Sequence, residues 1–128
     1  MSQAHALLID DNRQNLRVLR QLLTKQGVTS TDVLNSSDLN RALSILDSVD
    51  VIFVDLEMPD LDGYGVKDML RASHLADAPI IAYTVHVSEI NHTRQLGFDG
   101  FLGKPLDSLR FPNQLARILN GEPVWERA

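Results

Sequence analysis

Five polar residues in four separate segments of the chain could together bind a phosphoryl group and a divalent cation. Asp10 and Asp11 are adjacent, Asp55 and Thr84 lie far apart along the chain, and Lys104 precedes a proline. Carboxylate oxygens are the ligands that Mg²⁺ prefers, and a carboxylate can attack phosphorus to form an acyl phosphate. An ammonium group and a hydroxyl can stabilise the phosphoryl oxygens. Without a cation, three neighbouring carboxylates would repel one another and raise the pKa of at least one of them.

Each of these polar positions follows a short apolar run. The runs cover residues 5–9, 51–54, 79–83 and 100–103. Segments that are apolar at consecutive positions are typical of strands buried on both faces of a parallel sheet. Because ligands bind beyond the carboxyl ends of such strands, parallel pairing would bring the five residues into one site.

Amphipathic segments separate the apolar runs. They predict helices over about 12–26, from Ser36 or Ser37 onward, over 65–73, over 89–96 with Ser88 as its cap, and over 112–120. Residues 28–34 predict a more polar strand at a sheet edge. Five strands alternating with five helices predict an α/β fold, with one parallel sheet covered by helices on both faces.

Length and composition narrow the function classes. The 128 residues suit one domain, predicted over 1–121, with a C-terminal tail over 122–128 in which Trp125 covers a local apolar groove. A net charge of −5 argues against direct nucleic-acid binding, and no apolar stretch approaches the ~20 residues of a membrane span. The first residues lack the pattern of a secretion signal, so we expect a cytoplasmic location. Met1 and the charged end favour a complete single-domain chain over a fragment.

Taken together, the polar positions resemble those of the receiver domain of two-component response regulators. The loop Asp-Leu-Glu-Met-Pro-Asp-Leu-Asp-Gly over 55–63 is similar to the family's loop almost throughout, and the resemblance extends over roughly 5–119. The matching positions are Asp10 and Asp11 (acidic pair), Asp55 (phosphoacceptor), Thr84 (switch hydroxyl), Phe101 (aromatic switch position) and Lys104-Pro105 (Lys-Pro pair).

The resemblance implies a flavodoxin-like, doubly wound sheet with strand order 2-1-3-4-5. It implies that Asp11 and Asp55 would ligate Mg²⁺ directly, Asp10 largely through water, and Glu57 through its backbone carbonyl. Asp55 would accept a phosphoryl group from a phosphohistidine on a sensor histidine kinase or a histidine phosphotransfer protein, with Lys104 neutralising charge. The Lys104-Pro105 bond would be cis.

The resemblance also implies a switch that is read by a downstream protein. Thr84 would move toward the phosphoryl oxygens and Phe101 would turn inward, which would change the surface formed by the fourth helix, fifth strand and fifth helix. The chain would be a monomer or a weak phosphorylation-dependent dimer. Val85 departs from the alanine or glycine that the family prefers, and Glu57, Val85 and His86 are expected to tune hydrolysis, with Glu57 and His86 attracting each other across the entrance.

Three other functions compete with this interpretation. An aspartyl-phosphate hydrolase also uses a strand-end aspartate and Mg²⁺, but it typically has a second aspartate at the position of Glu57. A flavin carrier needs a phosphate cradle after the first strand, where Asp10 and Asp11 would instead repel phosphate. A docking module would not depend on phosphorylation. We expect a signalling receiver rather than a turnover enzyme.

Overall fold

Six parallel strands form a single sheet that lies between two layers of helices. The computed structural model describes residues 3–59 and 61–127; Asp60, within the 55–63 loop, lies outside the described residues. In chain order the elements are β1 (His5–Ile9), α1 (Arg13–Lys25), β2 (Thr29–Val33), α2 (Ser36–Ile45), β3 (Val51–Asp55), α3 (Gly63–Arg71), β4 (Ile80–Thr84), a 3₁₀ turn (Val87–Glu89), α4 (Ile90–Gln95), β5 (Gly100–Gly103), α5 (Phe111–Leu119) and β6 (Val124–Glu126). The strand order is β2-β1-β3-β4-β5-β6.

Two apolar cores, one on each face of the sheet, hold this arrangement together. Alternate residues of a strand point to opposite faces, so Leu8 and Tyr83 pack with α1 and α5, whereas Leu7 and Ala82 pack with α2 and α3. The central strand β3 is buried along its whole length. The α/β parallel architecture predicted from the sequence is therefore confirmed. Within the described part of the chain, no helix has both the length and the apolar character needed to cross a bilayer.

The predicted number of strands was wrong, because the segment expected to be a tail forms β6. β6 pairs in parallel with β5, which places Phe101 beside Trp125. Trp125 is partly buried against the core, and the Arg94 guanidinium lies 4.6 Å from its ring centroid. Glu126 accepts hydrogen bonds from Gln114 and Arg117 of α5 and from Arg110, which immediately precedes this helix. These contacts extend the sheet by one strand beyond the predicted order 2-1-3-4-5.

Several helix starts also differ from the prediction, because other residues act as caps. Asn35, rather than Ser36 or Ser37, accepts the backbone N–H of Asp38 and caps α2. Asp62 caps α3 in the same way, so this helix begins at Gly63 and not at Gly65. The predicted fourth helix is split into the 3₁₀ turn and α4, with no side-chain cap at either start.

We predict that Gly100→Ala displaces β6, because an added Cβ would lie 2.7 Å from the Val124 carbonyl oxygen and 2.8 Å from Ile81 Cδ1. Overpacking of this kind costs about 1–3 kcal/mol of the free energy of unfolding. Trp125 is the sole tryptophan, so its fluorescence emission should move to longer wavelength as β6 is released. Gly65→Ala is the matched control, since its nearest contact would be 3.6 Å. An unchanged emission in Gly100→Ala would show that β6 tolerates the methyl group.

Candidate functional site

The predicted site residues meet at the carboxyl edge of the sheet. Asp10 follows β1, Asp55 and Thr84 are the last residues of β3 and β4, and Lys104 follows β5. Carboxylate oxygens of Asp10, Asp11 and Asp55 all lie within 4.8 Å of one another. A cavity of about 430 Å³ opens here, lined in part by Asp11, Asp55, Thr84 and Lys104.

The Asp55 carboxylate lies in an environment that disfavours its negative charge. Asp10 is fully buried and Asp55 is only 5% exposed. Burial raises the pKa of the Asp55 carboxyl from its ordinary 3.8 to about 6, and the charge of Asp10 adds to this effect. The backbone N–H of Glu57 and the Lys104 ammonium act in the opposite direction. Three clustered carboxylates, with the pKa of Asp55 raised, fit a hard divalent cation, which would relieve their repulsion.

Lys104 is the cation of the site. Its Nζ lies 3.1 Å from Asp10 Oδ2 and 3.5 Å from Asp55 Oδ2, and its side chain is only 11% exposed. The Lys104-Pro105 peptide bond is cis. A buried ammonium this close to Asp55 can stabilise negative charge that develops on oxygens bound there.

Tyr83 belongs to the site although the sequence analysis treated it only as part of an apolar run. Its hydroxyl donates to Asp10 Oδ2 at 2.8 Å, and the Lys104 ammonium lies 4.3 Å from its ring centroid. Burial, followed by the neighbouring Asp10, raises the pKa of Tyr83, so the phenol keeps its proton and remains a donor. The signal available in the sequence was a polar atom on the residue immediately before Thr84.

Comparison with known proteins identifies the family. The model of the response regulator receiver domain matches residues 6–116. The chain belongs to the response regulator receiver family. This receiver is 34% identical over 116 residues to the transcriptional regulatory protein CpxR of Klebsiella pneumoniae, covering 88% of the chain but 48% of CpxR. It is 33% identical over 108 residues to hybrid signal transduction histidine kinase L of Dictyostelium discoideum, covering 78% of the chain and 6% of the kinase. The chain thus spans about half or less of these relatives.

Solved structures show the same fold. A CheY-like receiver domain from Methylobacillus flagellatus superposes with a TM-score of 0.79 at 26% identity, covering 91% of this receiver and 99% of that chain. The receiver domain of a sensor histidine kinase from Pseudomonas aeruginosa superposes with a TM-score of 0.79 at 27% identity, covering 93% of this receiver and 99% of that chain. That structure has a magnesium ion coordinated in its active site cleft. The flavodoxin-like fold implied by the resemblance is therefore confirmed, with β6 added.

One side-chain contact joins two loops at the mouth of this receiver's site, and a second joins α3 to the 3₁₀ turn outside the cavity lining. His86 Nε2 lies 2.6 Å from Glu57 Oε1, with both side chains about half exposed. The Tyr64 hydroxyl donates to Glu89 Oε2 at 2.6 Å, and burial together with Glu89 raises the pKa of Tyr64. Val85 is 61% exposed and lines the cavity. Glu57 and Val85 therefore line the cavity that opens at Asp55, and His86 contacts Glu57 at its edge.

Thr84 and Phe101 lie on the inner side of the site. Thr84 is 1% exposed, and its Oγ1 accepts the backbone N–H of His86 at 3.2 Å. Phe101 is fully buried in the core shared with α3. The Phe101 ring therefore lies inside the core in this structure, and Trp125 of β6 is its neighbour.

Proposed function

We propose that the chain is a phosphoacceptor receiver in which Asp55 takes a phosphoryl group from a phosphohistidine. The observation that carries this proposal is the position of Lys104 Nζ, 3.5 Å from Asp55 Oδ2 within a buried carboxylate cluster. An Asp55 oxygen forms the new bond to phosphorus while the phosphorus–nitrogen bond of the donor breaks. The electron pair of that bond returns to the imidazole, which then takes up a proton.

The chain's own residues supply the positioning and charge stabilisation on which phosphoryl transfer depends. Lys104 would neutralise charge on the phosphoryl oxygens, and the Thr84 hydroxyl would donate a hydrogen bond to one of them. Asp11 and Asp55, with the Glu57 carbonyl, would hold Mg²⁺, and Asp10 would act through water. Bound there, Mg²⁺ would supply charge neutralisation at the carboxylates and the incoming group.

The donor we propose is a sensor histidine kinase or a histidine phosphotransfer protein, and the output is binding to a downstream protein. A receiver within a hybrid histidine kinase is among the relatives, which supports this donor class. The net charge of −5 supports a protein target over direct nucleic-acid or membrane binding. We propose a cytoplasmic chain that is monomeric or dimerises weakly when phosphorylated.

The switch we propose couples movement of Thr84 to the surface formed by α4, β5 and α5. Thr84 would move toward the phosphoryl oxygens and release its contact with the His86 backbone. Because Phe101 is already buried, the response would involve the neighbouring loop of Val85 and His86 rather than rotation of Phe101 from solvent. Coupling of this type amounts to about 1–3 kcal/mol in other systems.

The test is an NMR titration with Mg²⁺ followed by beryllofluoride, which mimics a phosphoryl group, on wild type and Asp55→Ala. We expect saturable shifts that extend from Asp55 to Thr84 and Phe101 in wild type and no beryllofluoride response in Asp55→Ala. Mg²⁺ binding with shifts confined to the carboxylates would contradict the switch. No response to either ligand would favour a docking module, and turnover of phosphate esters would favour a hydrolase.

Val85→Ala should accelerate phosphoryl uptake from small donors and shorten the lifetime of the acyl phosphate. The branched side chain lines the cavity mouth, and its removal widens the path for both donor and attacking water. We expect rate increases of several-fold, measured by intact mass spectrometry after addition and then dilution of acetyl phosphate. Leu109→Ala, which removes an exposed apolar side chain outside the cavity lining, controls for the general loss of surface apolar area. Equal rates in wild type and Val85→Ala would contradict a gating role.

A further inference from the structure

The Tyr83 hydroxyl and the Lys104 ammonium share one oxygen of Asp10. Their distances to Asp10 Oδ2 are 2.8 Å and 3.1 Å. The other oxygen, Oδ1, accepts the backbone N–H of Asn12 at 2.9 Å. Asp10 is fully buried and Tyr83 is 1% exposed, so solvent does not replace a donor that leaves Oδ2.

Lys104 is divided between two carboxylates. Its Nζ is closer to Asp10 Oδ2 than to Asp55 Oδ2, at 3.1 Å against 3.5 Å. To bind oxygens of a group attached to Asp55, the ammonium must loosen its contact with Asp10. If Lys104 were the single donor to Oδ2, its departure would leave a buried carboxylate oxygen unpaired, which is strongly unfavourable.

We propose that Tyr83 is a positioning residue for phosphoryl transfer, whose hydroxyl keeps Asp10 Oδ2 hydrogen-bonded when Lys104 moves to the group on Asp55. This inference rests on the function proposed above. The Tyr83 ring supports the same movement, because the ammonium lies over its face at 4.3 Å and stays attracted to it through a short shift. Phe53 packs edge-on against the ring, with centroids 6.3 Å apart, and fixes its orientation.

The test is a double-mutant cycle on the full chain with Tyr83→Phe, Lys104→Met and the double variant. Beryllofluoride affinity is measured for each at saturating Mg²⁺, after a thermal melt has shown that the variant is folded. Tyr83→Phe alone should bind about tenfold more weakly, because Lys104 then leaves Asp10 Oδ2 without a donor. In the Lys104→Met background the same substitution should change affinity by less than about twofold.

Tyr64→Phe is the matched control, since it also removes a tyrosine hydroxyl bound to a carboxylate, that of Glu89, outside the acidic cluster. It should retain wild-type affinity. If Tyr83→Phe weakened binding tenfold in the Lys104→Met background as well, Tyr83 would merely support the fold. Wild-type affinity in Tyr83→Phe, or a tenfold loss in Tyr64→Phe, would also overturn the inference. Failure of the wild type to bind beryllofluoride would refute the proposed function. The contrary results for the variants would refute only the role proposed for Tyr83 and would leave the proposed function intact.

Discussion

Asp55→Asn should take up no phosphoryl group from acetyl phosphate under conditions in which wild type is fully labelled. The amide lacks the carboxylate nucleophile, while its similar size leaves the buried position filled. Intact mass spectrometry at saturating Mg²⁺, with the mass increase of one phosphoryl group as the readout, measures the difference directly. The effect is the largest that we expect from one substitution, because no other residue of the site is proposed to bond to phosphorus.

Asp62→Asn is the control for this experiment. Asp62 caps α3 through the Tyr64 N–H, and asparagine serves as a cap equally well. Labelling of this variant should match wild type. Labelling of Asp55→Asn at a nearby carboxylate, Asp11 above all, would contradict the assignment of the acceptor.

The second large effect is on stability and its pH dependence in the absence of metal. The pKa of Asp55 is about 6 in the folded chain against an ordinary 3.8. The folded state therefore binds the Asp55 proton more tightly than the unfolded state does. The stabilisation of the fold by this proton is complete below about pH 3.8 and is lost as pH rises through about 6. The difference corresponds to about 3 kcal/mol of the free energy of unfolding.

Urea unfolding of wild type and Asp55→Asn in EDTA, between pH 4 and pH 8, measures this effect. The difference in the free energy of unfolding between the two chains isolates the contribution of Asp55. Other carboxylates contribute equally to both chains; Glu126, for example, has a pKa lowered by Gln114 and Arg117, so its stabilising contribution is lost toward acid instead. The free energy of unfolding of Asp55→Asn should rise relative to that of the wild type as pH rises, by up to about 3 kcal/mol above pH 7. Saturating Mg²⁺ should make this difference smaller, since it binds the folded wild-type site. A difference that does not vary with pH would contradict the raised pKa.

Much of the fold and the site could be predicted because strand ends are marked in the sequence. Asp55 and Thr84 each follow a run of consecutive apolar residues, and parallel pairing leaves a single edge at which such ends can meet. The apolar runs and parallel pairing therefore predict that the carboxylates and Lys104 converge, and the structure places them together. This prediction does not depend on the conformation of any loop.

The remaining features depend on contacts that no local pattern records. β6 has three residues, too few for a recognisable alternation. Its docking depends on the absence of a side chain at Gly100 and on hydrogen bonds from Arg110 and from two residues of α5 to Glu126. Asn35 and the two serines after it are all good capping residues, and only the extended backbone of Asn35 makes it the one that accepts the Asp38 N–H. Tyr83 falls within an apolar run, whereas the hydrogen bond of its hydroxyl to Asp10 joins residues 73 positions apart in the sequence.

Tyr83 and Thr84 are consecutive in β4, and so their side chains face opposite layers of the sheet. Tyr83 packs with α1 and α5, whereas Thr84 faces the layer that contains Phe101 and α3. If the roles proposed above hold, the residue that positions Lys104 and the residue that starts the switch pack against opposite helix layers. Substitutions near Tyr83 would then alter the rate of phosphorylation, and substitutions in the layer of Phe101 and α3 would alter partner binding. Evolution could then change the two properties separately.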